Sequence, residues 1–129
     1  METTINGKMN SSPDISYNSE GMIEIKGRAL SQDSRLDFKP AIDWCKSQKF
    51  SEVLVIIKLE YMNADSVRQL IDMFRTLDIN LCVESIKVKW YVDEDSDISD
   101  TGYMFQEIFP HISFLFKNIE IRKPLIKKS

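Results

Sequence analysis

With 129 residues, 43% of them hydrophobic and 29% charged, the chain has the size and balance of one soluble domain able to bury a core without disulfide or metal staples. A net charge of −3 leaves no basic footprint for DNA or RNA, and no window approaches the ~20 apolar residues of a membrane span. Arg122, Lys123, Lys127 and Lys128 crowd the C-terminal end, so the body before them is more acidic than the net charge suggests, and residues 123–129 read as a basic tail.

The opening METTINGKMNSS is too polar for a signal peptide, which predicts a cytoplasmic chain, and residues 1–12 lack periodicity and read as a disordered leader. Ser16–Tyr17 and Met22–Gly27 then form a hairpin around the turn Asn18-Ser-Glu-Gly21, with Ile23 and Ile25 on one face. From Ser34 to Gln48 the apolar residues Phe38, Ala41, Ile42 and Cys45 recur at helical spacing, with Trp44 packed at the edge of the stripe. Pro40 belongs in a first turn, where a missing N–H costs nothing, which sets the expected helix start near Asp37 or Phe38.

Val53-Leu-Val-Ile-Ile57 is an unbroken, β-branched apolar run, expected to be a central strand covered on both faces and continuing to Tyr61. Val67, Leu70, Ile71, Phe74 and Leu77 give the cleanest helical period in the chain. Ile86 to Val92 alternates, with Lys87, Lys89 and Tyr91 on a face left to solvent or a partner. Beyond an acidic loop, Tyr103–Phe109 reads as a short helix ended by Pro110, and Ile112–Ile121 as a last strand kinked near Lys117. The order ββαβαβαβ predicts an α/β domain over residues 13–122, with a mixed, mostly parallel sheet of about five strands and three helices.

Few residues offer chemistry. Asp93-Glu-Asp-Ser-Asp97 starts like a calcium loop, but Ile98 stands where the turn needs Gly and Met104 where it needs Glu. A magnesium-dependent enzyme using Asp93, Asp95 and Asp97 is one alternative; a solvated loop or a contact for a basic partner is another. The lone His111, among aromatics after Pro110, reads as a packed or surface residue. With no CxxC there is no zinc pattern, and Cys45 and Cys82 both read as buried free thiols. Tyr61, Trp90, Tyr103, Phe105 and Phe109 read as core, whereas Tyr91 on the polar side of its strand is free to anchor an interface. No cofactor motif is present, and the alternatives to an enzyme are a protein-interaction module and a constitutive homo-oligomeric domain, such as a homodimer, using the open face of the Lys87–Tyr91 strand.

Two stretches carry more. "LEYMNADSVRQLIDMF" followed by "VKWYVDEDSDISDTGYMFQEI", with "FKPAIDWC" before them, resembles the SiaC family of bacterial regulatory phosphoproteins. The resemblance implies a fold similar to the anti-sigma-factor antagonists, of the STAS type. It also implies a non-enzymatic switch that binds and activates a diguanylate cyclase, raising cyclic-di-GMP and promoting biofilm, and that is set by a partner kinase and a PP2C-type phosphatase. By the same resemblance Glu60, Tyr61, Asn63, Asp65, Arg68, Tyr91 and the loop residues Asp93, Glu94, Asp95 and Asp97 would bind the partner. Ala64 occupies the position of the family's phosphorylated Thr, and of the hydroxyls in that run only Ser66 remains. Three readings stay open: phosphorylation moved to Ser66, an unswitched binder, or a fixed charge at Asp65 that imitates phosphate.

Overall fold

The computed structural model describes residues 12–92 and 98–118. The chain runs β1 (Pro13–Tyr17), β2 (Met22–Ala29), α1 (Ser34–Ser47), β3 (Glu52–Met62), α2 (Ala64–Asp78), β4 (Ser85–Val92), α3 (Ile98–Ile108) and β5 (Ser113–Asn118). These five strands form one sheet in the order β1-β2-β3-β4-β5. β1 pairs antiparallel with β2 and every later neighbour is parallel, so the predicted order and the mostly parallel sheet are both observed.

The hairpin closes through Asn18, whose Oδ1 accepts from the N–H groups of Glu20 (2.8 Å) and Met22 (3.1 Å). Gly21 takes φ +89, where a side chain would be strained and would also meet the carbonyl of Glu52 at 2.9 Å. Trp44 seals this corner from α1: its indole N–H donates to the Asn18 carbonyl (3.3 Å) and its ring lies 5.7 Å from that of Tyr17.

Coverage of β3 on both faces is corrected. Each parallel connection steps to the next strand in the same direction, and right-handed crossovers of that kind deliver every helix to the same side. Accordingly Val53, Val55, Ile57 and Leu59 are buried, while Leu54 and Ile56 are only half-buried and Lys58 is exposed. The continuous apolar run therefore does not mark a strand buried on both sides.

On the covered face α2 contributes Leu70, Met73, Phe74 and Leu77, each fully buried and each worth roughly 1.5–3 kcal/mol of transfer free energy. Phe74 meets Phe105 edge-on at 5.5 Å, and Phe105 meets Trp90 at 5.3 Å, which joins α2, α3 and β4 in one aromatic cluster. Gly102 brings α3 down onto the sheet; a Cβ there would stand 2.6 Å from the Phe116 ring and 3.3 Å from Trp90.

Other expectations shift. α1 starts three or four residues earlier than Pro40 suggested, leaving the proline inside the helix, since its missing N–H would have faced the carbonyl of exposed Leu36, which water can reach. α3 begins five residues before Tyr103. Tyr61 and Tyr103 are 55% and 50% exposed rather than core: Tyr61 packs a ring face on the Arg28 guanidinium, and Tyr103 meets the Phe116 ring at 4.6 Å. Cys82 is exposed in the α2–β4 turn, where its N–H donates to Asn80 Oδ1. The leader up to residue 11, the acidic residues 93–97, the last strand beyond Asn118 and the basic tail lie outside the described residues.

Candidate functional site

Parallel strands all end at one edge of the sheet, and the connections leaving that edge are where α/β proteins gather functional residues. Here the edge is formed by the ends of β2, β3 and β4 at Ala29, Met62 and Val92. Asn63 organises it. Its backbone N–H donates to the Ala29 carbonyl (2.9 Å), its Oδ1 accepts from Ser66 N–H (2.9 Å), and its Nδ2 donates to the Ser31 carbonyl (3.1 Å). One side chain thus caps α2 and ties it to the loop that feeds α1. The far end of α2 is tied in the same manner, with Asn80 Nδ2 donating to the carbonyls of Cys45 (2.9 Å) and Gln48 (3.0 Å).

Ala64 is the first helical residue and is exposed. The N–H groups of the first helical turn lack intrahelical acceptors and carry the positive end of the helix dipole, a setting that favours negative charge. Asp65 supplies one there, exposed and bridged to Arg68 at 2.9 Å. Ser66 is opposite in character: it is 0% exposed, and its Oγ makes no hydrogen bond among the described residues. The two positions that could hold a modifiable hydroxyl therefore divide into an exposed one that carries a methyl and a buried one that carries the oxygen.

Glu60 and Tyr61 lie just before this cap. Both meet Arg28 on β2, whose Nε is 3.7 Å from Glu60 Oε1 and whose guanidinium carbon lies 5.3 Å from the Tyr61 ring centroid. A register shift after Gly27, which itself has φ +94, sets Arg28 opposite Tyr61. Tyr91 sits apart from these residues, half-buried on the uncovered side of the sheet with Lys58 Nζ 5.2 Å over its ring. Asp93, Glu94, Asp95 and Asp97 lie outside the described residues, so the edge described consists of Glu60, Tyr61, Asn63, Ala64, Asp65 and Arg68. Sequence reading missed Arg28 and Ser31, which come from another strand and another loop; only pairing of β2 with β3 brings them here.

Two shallow depressions among the described residues lie away from this edge, one between Tyr17, Leu36 and Trp44 and the other along Gly21, Met22, Leu54 and Ser85. His111 sits at the start of β5, at the opposite edge of the sheet. Cys45 is buried, and desolvation pushes its thiol up to about 12, away from nucleophilic use. Among the described residues no cluster of three or more His, Cys, Asp or Glu could hold a metal ion. No described helix is long and apolar enough to cross a membrane.

Among the described residues this is an α/β domain with its helices on one side of the sheet and a capped, exposed helix start at the ends of its parallel strands, an arrangement suited to contact with another protein. The sequence pattern of the SiaC family regulatory phosphoproteins matches residues 5–119, and the chain belongs to that family. Its fold is similar to that of apo-SiaC from Pseudomonas aeruginosa, at 20% identity and a TM-score of 0.70, covering 84% of this chain and 91% of the other. It is likewise similar to a chain in the crystal structure of diguanylate cyclase SiaD in complex with its activator SiaC, also from Pseudomonas aeruginosa, at 18% identity and a TM-score of 0.75, covering 85% and 94%. Comparison with curated protein sequences gives no match.

Proposed function

We propose that the chain is a cytoplasmic, non-enzymatic activator of a diguanylate cyclase that is not switched by phosphorylation at the start of α2. Family membership and the fold shared with a cyclase activator support the partner class. The observation that carries the unswitched reading is the division at the helix start, where exposed Ala64 has no hydroxyl and the Ser66 hydroxyl is fully buried. A kinase would have to unwind the first turn of α2, breaking the Asn63 cap, to reach Ser66 Oγ. The resulting dianion would then have to return to a site with no room in water, a desolvation the fold does not tolerate.

The contact surface in this reading runs from Glu60, Tyr61 and Asn63 through Asp65 and Arg68, and the partner-binding set also includes Tyr91 and the acidic residues Asp93, Glu94, Asp95 and Asp97. The regulatory unit is residues 13–122, flanked by the leader and the basic tail. A single carboxylate at Asp65, already bridged to Arg68, is a weak imitation of a phosphate dianion.

The test is incubation with extract of the source cell and ATP, followed by mass spectrometry of the peptide spanning residues 59–68 and an assay of the cell's diguanylate cyclase. The unaltered chain should stay unmodified and activate the cyclase equally with and without ATP. Ala64→Thr should become phosphorylated and lose that activation. Phosphate on Ser66 of the unaltered chain, with loss of activation, would establish a relocated switch instead.

A further inference from the structure

The side of the sheet away from the helices has no described element packed on it, and its charge is the reverse of the whole chain's. Register places Lys87 and Lys89 on β4 beside Leu54 and Ile56 on β3, and beside Ser113 and Leu115 on β5. Lys26 stands directly across from Lys58, and Lys117 across from Tyr91. With Arg28, that side holds six basic groups on a chain of net charge −3. Its carboxylates are Asp14, Glu24, Glu52 and Glu60, with Glu20 in the adjoining turn; Glu24 and Glu60 are already engaged by Lys58 (3.1 Å) and Arg28 (3.7 Å). Lys26, Lys87, Lys89 and Lys117 make no ion pair among the described residues. The like charges directly across the ladder, Lys26 and Lys58, are relieved by Glu24, whereas Lys87, Lys89 and Lys117 have no ion-pair partner among the described residues.

The centre of this side is apolar. Met22, Leu54 and Ile56 are half-buried there and Leu115 is 52% exposed. Met22, Leu54, Lys87 and Lys89 also line a shallow depression at one end, together with Glu20 and Glu52. Four parallel-running strands about 4.8 Å apart make a strip about 15 Å wide, enough for one helix about 10–12 Å in diameter.

We propose that this side is a docking surface for an amphipathic helix of a partner protein, with an apolar stripe set on Leu54, Ile56 and Leu115 and acidic flanks facing Lys87, Lys89, Lys58 and Lys117. Charge complementarity selects this occupant. A second copy docking by the same side would set lysines against lysines, and the chain's own tail, with Arg122, Lys123, Lys127 and Lys128, has the wrong sign. A phosphate backbone would leave the apolar centre uncovered. Leu54 and Ile56 are recessed among the lysines, where helix side chains reach but a bilayer does not.

The test uses the full chain and two synthetic helical peptides of about five turns, each with a leucine stripe, one flanked by glutamates and the other by lysines. Binding is measured by calorimetry and mapped by amide chemical shifts. The glutamate peptide should bind, with shifts confined to β3, β4 and β5 and an affinity that falls as salt rises. Lys87→Glu with Lys89→Glu should weaken it about tenfold or more and transfer binding to the lysine peptide. Unchanged melting of the double variant, with Lys87→Gln and Lys89→Gln as a milder control, shows that the fold is intact. The proposal is overturned by equal binding of both peptides or by shifts elsewhere. It is equally overturned by preferential binding to phosphatidylserine vesicles, by a concentration-dependent dimer that the charge reversal abolishes, or by shifts on this side when residues 1–11 or 119–129 are removed.

Discussion

The two stretches that carry the family likeness meet the core differently. In the run from Trp90 to Phe105 four described residues, Trp90, Val92, Gly102 and Phe105, are interior, and Gly102 is the contact that lets α3 sit on the Trp90 and Phe116 rings. The run from Glu60 to Arg68 is largely exterior, with one interior residue, Ser66, and one hinge between the two worlds, Asn63. A change at those four interior positions should be felt as lost packing, and a change at the exposed positions of the second stretch as altered contact with a partner. This explains why Ala64 is compatible with the fold even where the likeness calls for Thr: an exposed first-turn position asks nothing of its side chain for folding.

The sharpest way to break this contrast is Gly102→Ala. A methyl 2.6 Å from the Phe116 ring forces α3 away from the sheet, and overpacking of this kind costs about 1–3 kcal/mol even after the better helix propensity of Ala. Urea denaturation should register that loss; an unchanged midpoint would mean that α3 is not seated as described.

Asn63 is the exception that sharpens it, since its side chain works inward although it lies in the contact stretch. Asn63→Ala removes the cap on Ser66 N–H and the tie to Ser31, for a loss of about 1–2 kcal/mol. Asn63→Asp keeps the cap and loses only the Nδ2 donor, so its denaturation midpoint should fall between the two. Equal losses would assign the whole effect to the tie. Ser66→Ala belongs to the same stretch and should stay within about 1 kcal/mol of the unaltered chain by the same denaturation, because the Oγ it removes has no hydrogen bond among the described residues.

The smallest effect concerns the thiols. Under native conditions an alkylating reagent near neutral pH should modify Cys82 and spare Cys45 until the chain unfolds. Because burial raises the Cys45 thiol from 9.0 to about 12, the folded state holds its proton more tightly than the unfolded one. Stability from this group is complete below pH 9 and declines as pH rises toward 12. Alkaline denaturation of Cys45→Ala, with its midpoint compared across that interval, isolates the contribution.

Much of this was legible along the chain. Helical spacing in α2 and alternation in β4 are local consequences of 3.6- and 2-residue periods, so they appeared in the sequence and reappear in the fold. The cap at Asn63, which spans three residues, is equally local. By contrast, β3 looked the same whether one or both of its faces were covered, because an apolar run records what a strand tolerates and not what packs on it. Cys82 looked buried because apolar neighbours in sequence were read as neighbours in space.

By itself the sequence determined the elements, their order, the predominantly parallel sheet and the missing hydroxyl at Ala64. Those follow from short-range periodicity, turn chemistry and residue identity. Only the tertiary structure decided that the three helices share one face, that Arg28 and Ser31 join the α2 edge, that Ser66 is sealed and that lysines from four strands gather around an apolar strip. Each of these depends on strand order and register, which place residues about 30 positions apart within hydrogen-bond reach and which no local pattern encodes.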